Sequence, residues 1–142
     1  MTTLVILRVK GQHINLLREE ARKAHPIEAC AMLFGESNQK EAIVKRVAVA
    51  PNKLQSPTSF EIHPETFVKA FNEAEHEGLD LIGLFHSHPA PAAPSSIDRK
   101  YMKLWGDVLW LILSSTNSHL AAYEMKNGKV REIPVEIVGP SG

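Results

Sequence analysis

Two histidines spaced two residues apart, His86 and His88, follow the nearly all-apolar run Leu79 to Phe85. In an extended chain, side chains at i and i+2 face the same way, roughly 7 Å apart at the backbone. Imidazoles inclined toward each other from there can converge on one ion, at about 2.0–2.1 Å per nitrogen. Pro89 then turns the chain aside, and a proline-rich loop leads to Ser95 and Asp98. A carboxylate at Asp98 can swing back as a third ligand. Two nitrogens and one carboxylate suit Zn²⁺ better than iron or cobalt. Three protein ligands with a fourth position left for water make a catalytic site, whereas structural zinc usually has four ligands, mostly cysteines. Plainer alternatives exist: a His-x-His pair arises by chance, and Ser95-x-x-Asp98 has the form of a helix capping box. The combination favours the site, because a buried strand end does not gather two imidazoles and a carboxylate without something to bind them.

The elements that must position these residues follow from periodicity and punctuation. Leu4 to Val9 predicts an opening strand, broken by Gly11, and Gln12 to His25 a helix with Ile14, Leu17, Ala21 and Ala24 on one face. Pro26 stops it. Ala29 to Phe34 and Ala42 to Ala50 predict strands, Pro51 to Ser59 a loop, and Phe60 to His63 a fourth extended piece. Pro64-Glu65 opens a helix whose buried stripe is Phe67, Ala70, Phe71 and Ala74, with Gly78 as its stop. Leu79 to Phe85 predicts a strand covered on both faces. His86 to Ser96 is then a loop, Ile97 to Leu104 a short helix and Val108 to Leu113 another buried strand. Ala121 to Met125 and Lys129 to Val138 flank Asn127-Gly128, a hairpin signal. The order β-α-β-β-β-α-β-loop-α-β-β-β predicts one α/β domain with a mixed sheet and helices packed on it, spanning residues 1–142 with a core of about 4–138.

His86-Ser87-His88-Pro89, the proline-containing loop and Pro94-Ser95-x-x-Asp98 resemble the JAMM signature of MPN-plus zinc metalloproteases, the stand-alone archaeal or bacterial members in particular. Pro26-Ile27-Glu28-Ala29-Cys30-Ala31-Met32-Leu33-Phe34-Gly35 is similar to that family's upstream segment, and the element order matches the MPN domain from about Leu4 to Val138. On its own Glu28 reads as a surface carboxylate after a helix-ending proline. The resemblance makes it the general base, with His86, His88 and Asp98 as ligands of one zinc per chain and Ser95 as donor to the developing oxyanion. Two departures stand out. Six residues, Pro89 to Pro94, separate His88 from Ser95 where the family has seven, and Ala31 replaces the usual glycine after the cysteine. Cys30, two residues from Glu28, is an alternative fourth ligand that would close the site. The resemblance implies hydrolysis of the amide or isopeptide bond after the C-terminal Gly-Gly of a ubiquitin-like modifier, so the partners are ubiquitin-like protein conjugates. Trimming of a ubiquitin-like sulfur carrier is an alternative, and a non-catalytic MPN scaffold is another. A Gly-Gly tail offers only backbone to grip, which points to the 51–59 segment and to Leu54, Gln55 and Ser56 as substrate-binding residues.

Composition sets the outer limits. Sixteen basic and sixteen acidic residues balance, so no basic footprint marks the chain for nucleic acid or an anionic membrane surface. No apolar run is long enough to span a bilayer, and Met1-Thr2-Thr3-Leu4 has no secretory character. A cytoplasmic location is expected. The single cysteine, Cys30, forms no internal disulfide but leaves a bridged homodimer open. The remaining histidines, His13, His25, His63, His76 and His119, stand in no pattern. His-Glu-x-x-His, Gly-x-Ser-x-Gly and the deaminase zinc signature are absent.

Overall fold

The computed structural model describes residues 5–139. The expected strand position Leu4 lies outside them. Eleven elements follow in the order β1 (Ile6–Lys10), α1 (Gly11–Ala24), β2 (Cys30–Ser37), β3 (Glu41–Ala50), α2 (Pro64–His76), β4 (Asp80–His88), α3 (Ser96–Trp105), β5 (Leu109–Ser114), β6 (Leu120–Lys126), β7 (Lys129–Ile133) and β8 (Val135–Val138). The strands form one mixed sheet in the order β7-β6-β5-β4-β2-β3-β1-β8. β4 lies inside it, antiparallel to β2 and parallel to β5. Among the described residues no helix is long and apolar enough to cross a membrane.

Helices cover both faces. On one, Ile14, Leu17 and Ala21 of α1 pack on Leu7, Leu33, Phe85, Leu111 and Leu113. On the other, Ala70 and Ala74 of α2 and Met102 of α3 pack on Met32, Phe34, Leu84 and Trp110. Ala70 and Ala74 are the buried part of the α2 stripe. Phe67 is half-buried and Phe71 is 38% exposed, so that stripe is narrower than its periodicity suggests.

Several boundaries differ from the sequence-based expectations, each for a physical reason. β4 continues to His88, past the expected end at Phe85. His86 pairs with Cys30 and Ile112, and His88 with Ser114, so neighbouring backbones hold both histidines in the ladder and the loop starts at Pro89. Residues 60–63 belong to no strand. Lys129 to Val138 is two strands: Pro134 interrupts it, β7 pairs with β6, and β8 pairs with β1 at the far edge. Proline has no N–H for a ladder, but its carbonyl accepts from Leu7 N at 2.9 Å. β2 runs through Gly35 to Ser37 because a Cβ at Gly35 would lie 1.8 Å from the Ile43 carbonyl oxygen, so only glycine allows that approach. The β6–β7 turn is as expected, with Asn127 and Gly128 at φ 53° and 75°, the left-handed pair of a type I′ hairpin.

Candidate active site

Three elements meet at the C-terminal end of β4. Residue alternation sends His86 and His88 to the α2–α3 face, Ser95-x-x-Asp98 opens α3 above them, and Glu28 lies just before β2. Ser95 caps α3: its Oγ accepts from Asp98 N at 3.0 Å, while its own N–H donates to Asp98 Oδ2 at 2.9 Å. The capping box is therefore formed, and it fixes the carboxylate that faces the imidazoles. Asp98 Oδ2 lies 3.1 Å from His86 Nε2 and 3.0 Å from His88 Nε2, and the two Nε2 atoms are 3.0 Å apart. Glu28 stands one step further out, with Oε2 3.5 Å from His88 Nε2. All four side chains are buried, His88 the least so at 5% exposed.

Hydrogen bonds alone do not account for this triangle. His88 Nδ1 faces the Pro91 carbonyl at 3.3 Å. If its proton sits there, as that contact suggests, His88 Nε2 presents a lone pair to a carboxylate oxygen and to a second imidazole nitrogen. Only one proton, on His86 Nε2, is then left for three contacts. A divalent cation accepts all three lone pairs at once, and donors at about 2.0–2.1 Å from a tetrahedral centre lie roughly 3.3 Å apart. The donor set thus fits a zinc-sized cation. Glu28, His86 and His88 also offer donor atoms that lie within 4.8 Å of one another. Both carboxylates can reach a shared ion, and Asp98 is the nearer.

The electrostatics separate the two carboxylates. Burial would raise Asp98, but hydrogen bonds to both imidazoles and from the Ser95 N–H outweigh it and hold the group well below the usual carboxylate range. Among the described residues Glu28 has no such partners, and neither of its oxygens makes a hydrogen bond. Burial, reinforced by the charge of Asp98 and opposed by His88, pushes it up to about 8. Burial lowers His86. At His88 the pull of Asp98 and Glu28 overcomes burial and raises the pKa. Cys30 lies outside the cluster: Sγ donates to the Ala50 carbonyl at 3.3 Å, and burial together with Glu28 pushes the thiol up to about 12.

The segment Leu54, Gln55 and Ser56 sits beside Glu28, but as a formed turn and not as a free pairing edge. Glu28 N donates to Ser56 O at 2.9 Å, and Asn52 Nδ2 donates to Glu28 O and Ser59 O, both at 3.0 Å. Leu54 N and Gln55 N are spent on Asn52 Oδ1 and Asn52 O. Gln55 has φ 47°, which no proline can adopt. The 51–59 loop is thus held in place, and it leads into no strand at Phe60.

Sequence reasoning missed three contributors. Ser87, between the histidines, points to the other side of β4, where its Oγ accepts from Ala29 N at 2.8 Å and its N–H donates to Ala29 O at 3.0 Å. That two-point bond ties the residue after Glu28 to the histidine strand. Asn52 ties down the loop, and Phe60 stacks on His86. Nothing local to either residue indicates those contacts.

The chain is similar to known proteins over most of its length. Residues 11–128 match the family described as prokaryotic homologs of the JAB domain. A protein of Pyrococcus furiosus named desampylase is 38% identical over 112 residues, covering 78% of this chain and 76% of its own. A protein of Mycobacterium tuberculosis named CysO-cysteine peptidase is 28% identical over 140 residues, covering 96% and 94%. Among solved structures, a protein of Desulfitobacterium hafniense superposes with a TM-score of 0.82 at 29% identity, over 96% of this chain and 94% of that one. A JAB1/MPN domain protein of Archaeoglobus fulgidus shares the fold alone, at a TM-score of 0.58 and 21% identity over 98% and 100%.

Proposed function

The chain belongs to the family of prokaryotic homologs of the JAB domain, and from that premise we propose that it is a zinc-dependent hydrolase cutting the amide bond after the C-terminal Gly-Gly of a ubiquitin-like modifier. The observation that carries this reading is the contrast between two buried carboxylates: Asp98 closes a triangle of donors with both imidazoles, and Glu28 lies beside it with no hydrogen bond to either oxygen among the described residues. A scaffold protein has no use for a buried carboxylate without a hydrogen bond, since His88 at 3.5 Å offsets only part of its desolvation.

His86, His88 and Asp98 would hold the zinc. When bound, zinc supplies a Lewis acid that acidifies a water and polarises the scissile carbonyl. Glu28 accepts the proton of the attacking water and later returns it to the leaving amine. Without metal, burial pushes Glu28 up to about 8, and a cation held beside it by His86, His88 and Asp98 would pull it back down, leaving a carboxylate able to take the proton. Ser95 uses its oxygen as acceptor for the α3 cap, which leaves its O–H to donate to the developing oxyanion. Leu54, Gln55 and Ser56 flank the Gly-Gly tail from beside Glu28.

The leaving group separates this reading from a second one. The relative named CysO-cysteine peptidase covers nearly the whole chain, which favours also considering removal of a C-terminal residue from a ubiquitin-like sulfur carrier. The chemistry at the site is the same. The deciding experiment compares an isopeptide-linked modifier with a linear C-terminal extension of it, each with and without a chelator. Chelator-sensitive cleavage of the isopeptide supports the proposal, cleavage of the linear form alone supports the second reading, and cleavage of both untouched by chelator overturns the zinc mechanism.

A further inference from the structure

The two imidazoles are held in different ways. A ligating histidine ordinarily donates its second ring nitrogen to a carboxylate, a backbone carbonyl or water, which fixes the tautomer and the direction of the lone pair. His88 follows this pattern through the Pro91 carbonyl. His86 does not. Its side chain is completely buried, and its Nδ1 meets no hydrogen-bonding group among the described residues. Its ring lies between aromatics: Phe60 stacks on it with centroids 4.8 Å apart and planes 25° from parallel, and Trp110 stands edge-on at 5.7 Å and 84°. Phe60 also meets Trp110 at 5.9 Å, so the three rings brace one another.

We propose that Phe60 is a positioning residue for the metal site, its ring face setting the plane of His86 and so aiming Nε2 in place of the usual hydrogen bond. This rests on His86 being a zinc ligand, as proposed above. A stacked ring resists tilt of its neighbour because offset and parallel arrangements are preferred over arbitrary ones. Phe60 is itself fixed from both sides in sequence: Asn52 Nδ2 donates to the Ser59 carbonyl at 3.0 Å, and Lys53 N donates to Glu61 O at 2.8 Å. The turn that carries Leu54, Gln55 and Ser56 therefore also carries the ring that orients a ligand. Phe60 further walls an apolar groove of about 310 Å³ with Phe67, Tyr101 and Trp105, so whatever enters that groove presses on the same ring.

The test compares Phe60→Leu, which keeps an apolar side chain but has no ring face, with Phe60→Tyr, which keeps the face. Zinc affinity is measured by competition with a chromophoric chelator, and the cobalt-substituted proteins are compared by their visible absorption. Phe60→Leu should bind zinc about 10–100-fold more weakly, the range for loss of a group that orients a ligand, and should shift the cobalt bands. Phe60→Tyr should stay near wild type in both. Thermal unfolding of the metal-free proteins separates aiming from folding: the Leu variant should unfold close to wild type without metal and show its deficit only with zinc. Should Phe60→Leu fail to fold, Phe60→Met serves the same comparison. Wild-type affinity and an unshifted cobalt spectrum in the ring-free variant overturn the proposal. Failure of the wild-type chain to bind zinc overturns instead the reading of the site on which it rests.

Discussion

On the α1 face of the sheet, Leu7, Leu33, Phe85, Leu111 and Leu113 meet Ile14, Leu17 and Ala21, and the buried carboxylate on that side, Glu124, is paired with Arg131. On the α2–α3 face, Met32, Phe34, Leu84 and Trp110 form a similar apolar layer, but at its end the same strands bury Glu28, His86, His88 and Asp98. Apolar burial stabilises by roughly 25 cal/mol per Å². Burial of ionisable groups costs free energy unless each is paired. One face therefore holds the fold, and the other spends part of that stability on a preorganised polar cluster. Lesions on the two faces should fail in different ways: chemistry without unfolding on one, unfolding without altered chemistry on the other.

The largest effect should come from the donor triangle. His86→Ala, His88→Ala or Asp98→Ala should each remove most of about one zinc per chain and all activity, while the fold persists. Asp98→Ala should in addition lose the bond from the Ser95 N–H, one half of the capping box, while Ser95 Oγ still caps α3. Metal analysis of the purified variants decides: full zinc in both histidine variants means that the site has been assigned wrongly. Glu28→Gln comes next. It keeps the shape and removes the base, so zinc should remain and turnover fall by roughly 10²–10⁴-fold. Removing a buried, unpaired carboxylate should leave the protein at least as stable. Unchanged turnover would take Glu28 out of the mechanism.

Ser95→Ala should lower kcat by roughly 10²–10³-fold, the loss for one oxyanion donor, with zinc retained. Ser96, exposed on the first turn of α3, should tolerate alanine, and the reverse ranking in steady-state kinetics would move the oxyanion role to Ser96. On the other face, Leu111→Ala empties a fully buried position and should cost about 2–5 kcal/mol of stability. The variant that remains folded should bind zinc and turn over normally. A Leu111→Ala protein that unfolds at the wild-type temperature but is catalytically slow would break the division between the faces.

The sequence carried the parts of this arrangement whose causes are local. Two histidines at strand spacing, a proline-fixed loop and a carboxylate at a helix start announce themselves, as does Asn127-Gly128 at the β6–β7 hairpin. What it did not carry depends on partners far along the chain. His86 and His88 belong to β4 and not to a loop because Cys30, Ile112 and Ser114 supply their ladder partners. The segment after Lys129 divides at Pro134 because β1, more than a hundred residues earlier, has a free edge for β8. Phe60 stacks on His86 across 26 residues, and no periodicity in either segment encodes that. Glu28 needed the family resemblance, since nothing in Pro26-Ile27-Glu28 shows locally that the carboxylate is buried.

Cys30 sharpens the comparison with the smallest expected effect. It sits opposite His86 in the β2–β4 ladder, on the face that holds the site, and by position alone could be a fourth donor. Its surroundings argue against that. A ligating cysteine must be a thiolate, whereas this thiol donates to the Ala50 carbonyl at 3.3 Å. It is 1% exposed, so bridging to a second chain would require β2 to open. Serine at this position can still donate to Ala50 and loses only the packing of the sulfur beside Met32 and Leu84. Cys30→Ser should therefore keep zinc content, the cobalt spectrum and kcat close to wild type, and cost about 1 kcal/mol of stability or less. Zinc analysis under reducing conditions is the check. A stoichiometric loss of zinc would place sulfur in the coordination sphere, close the fourth position and turn the site into a structural one.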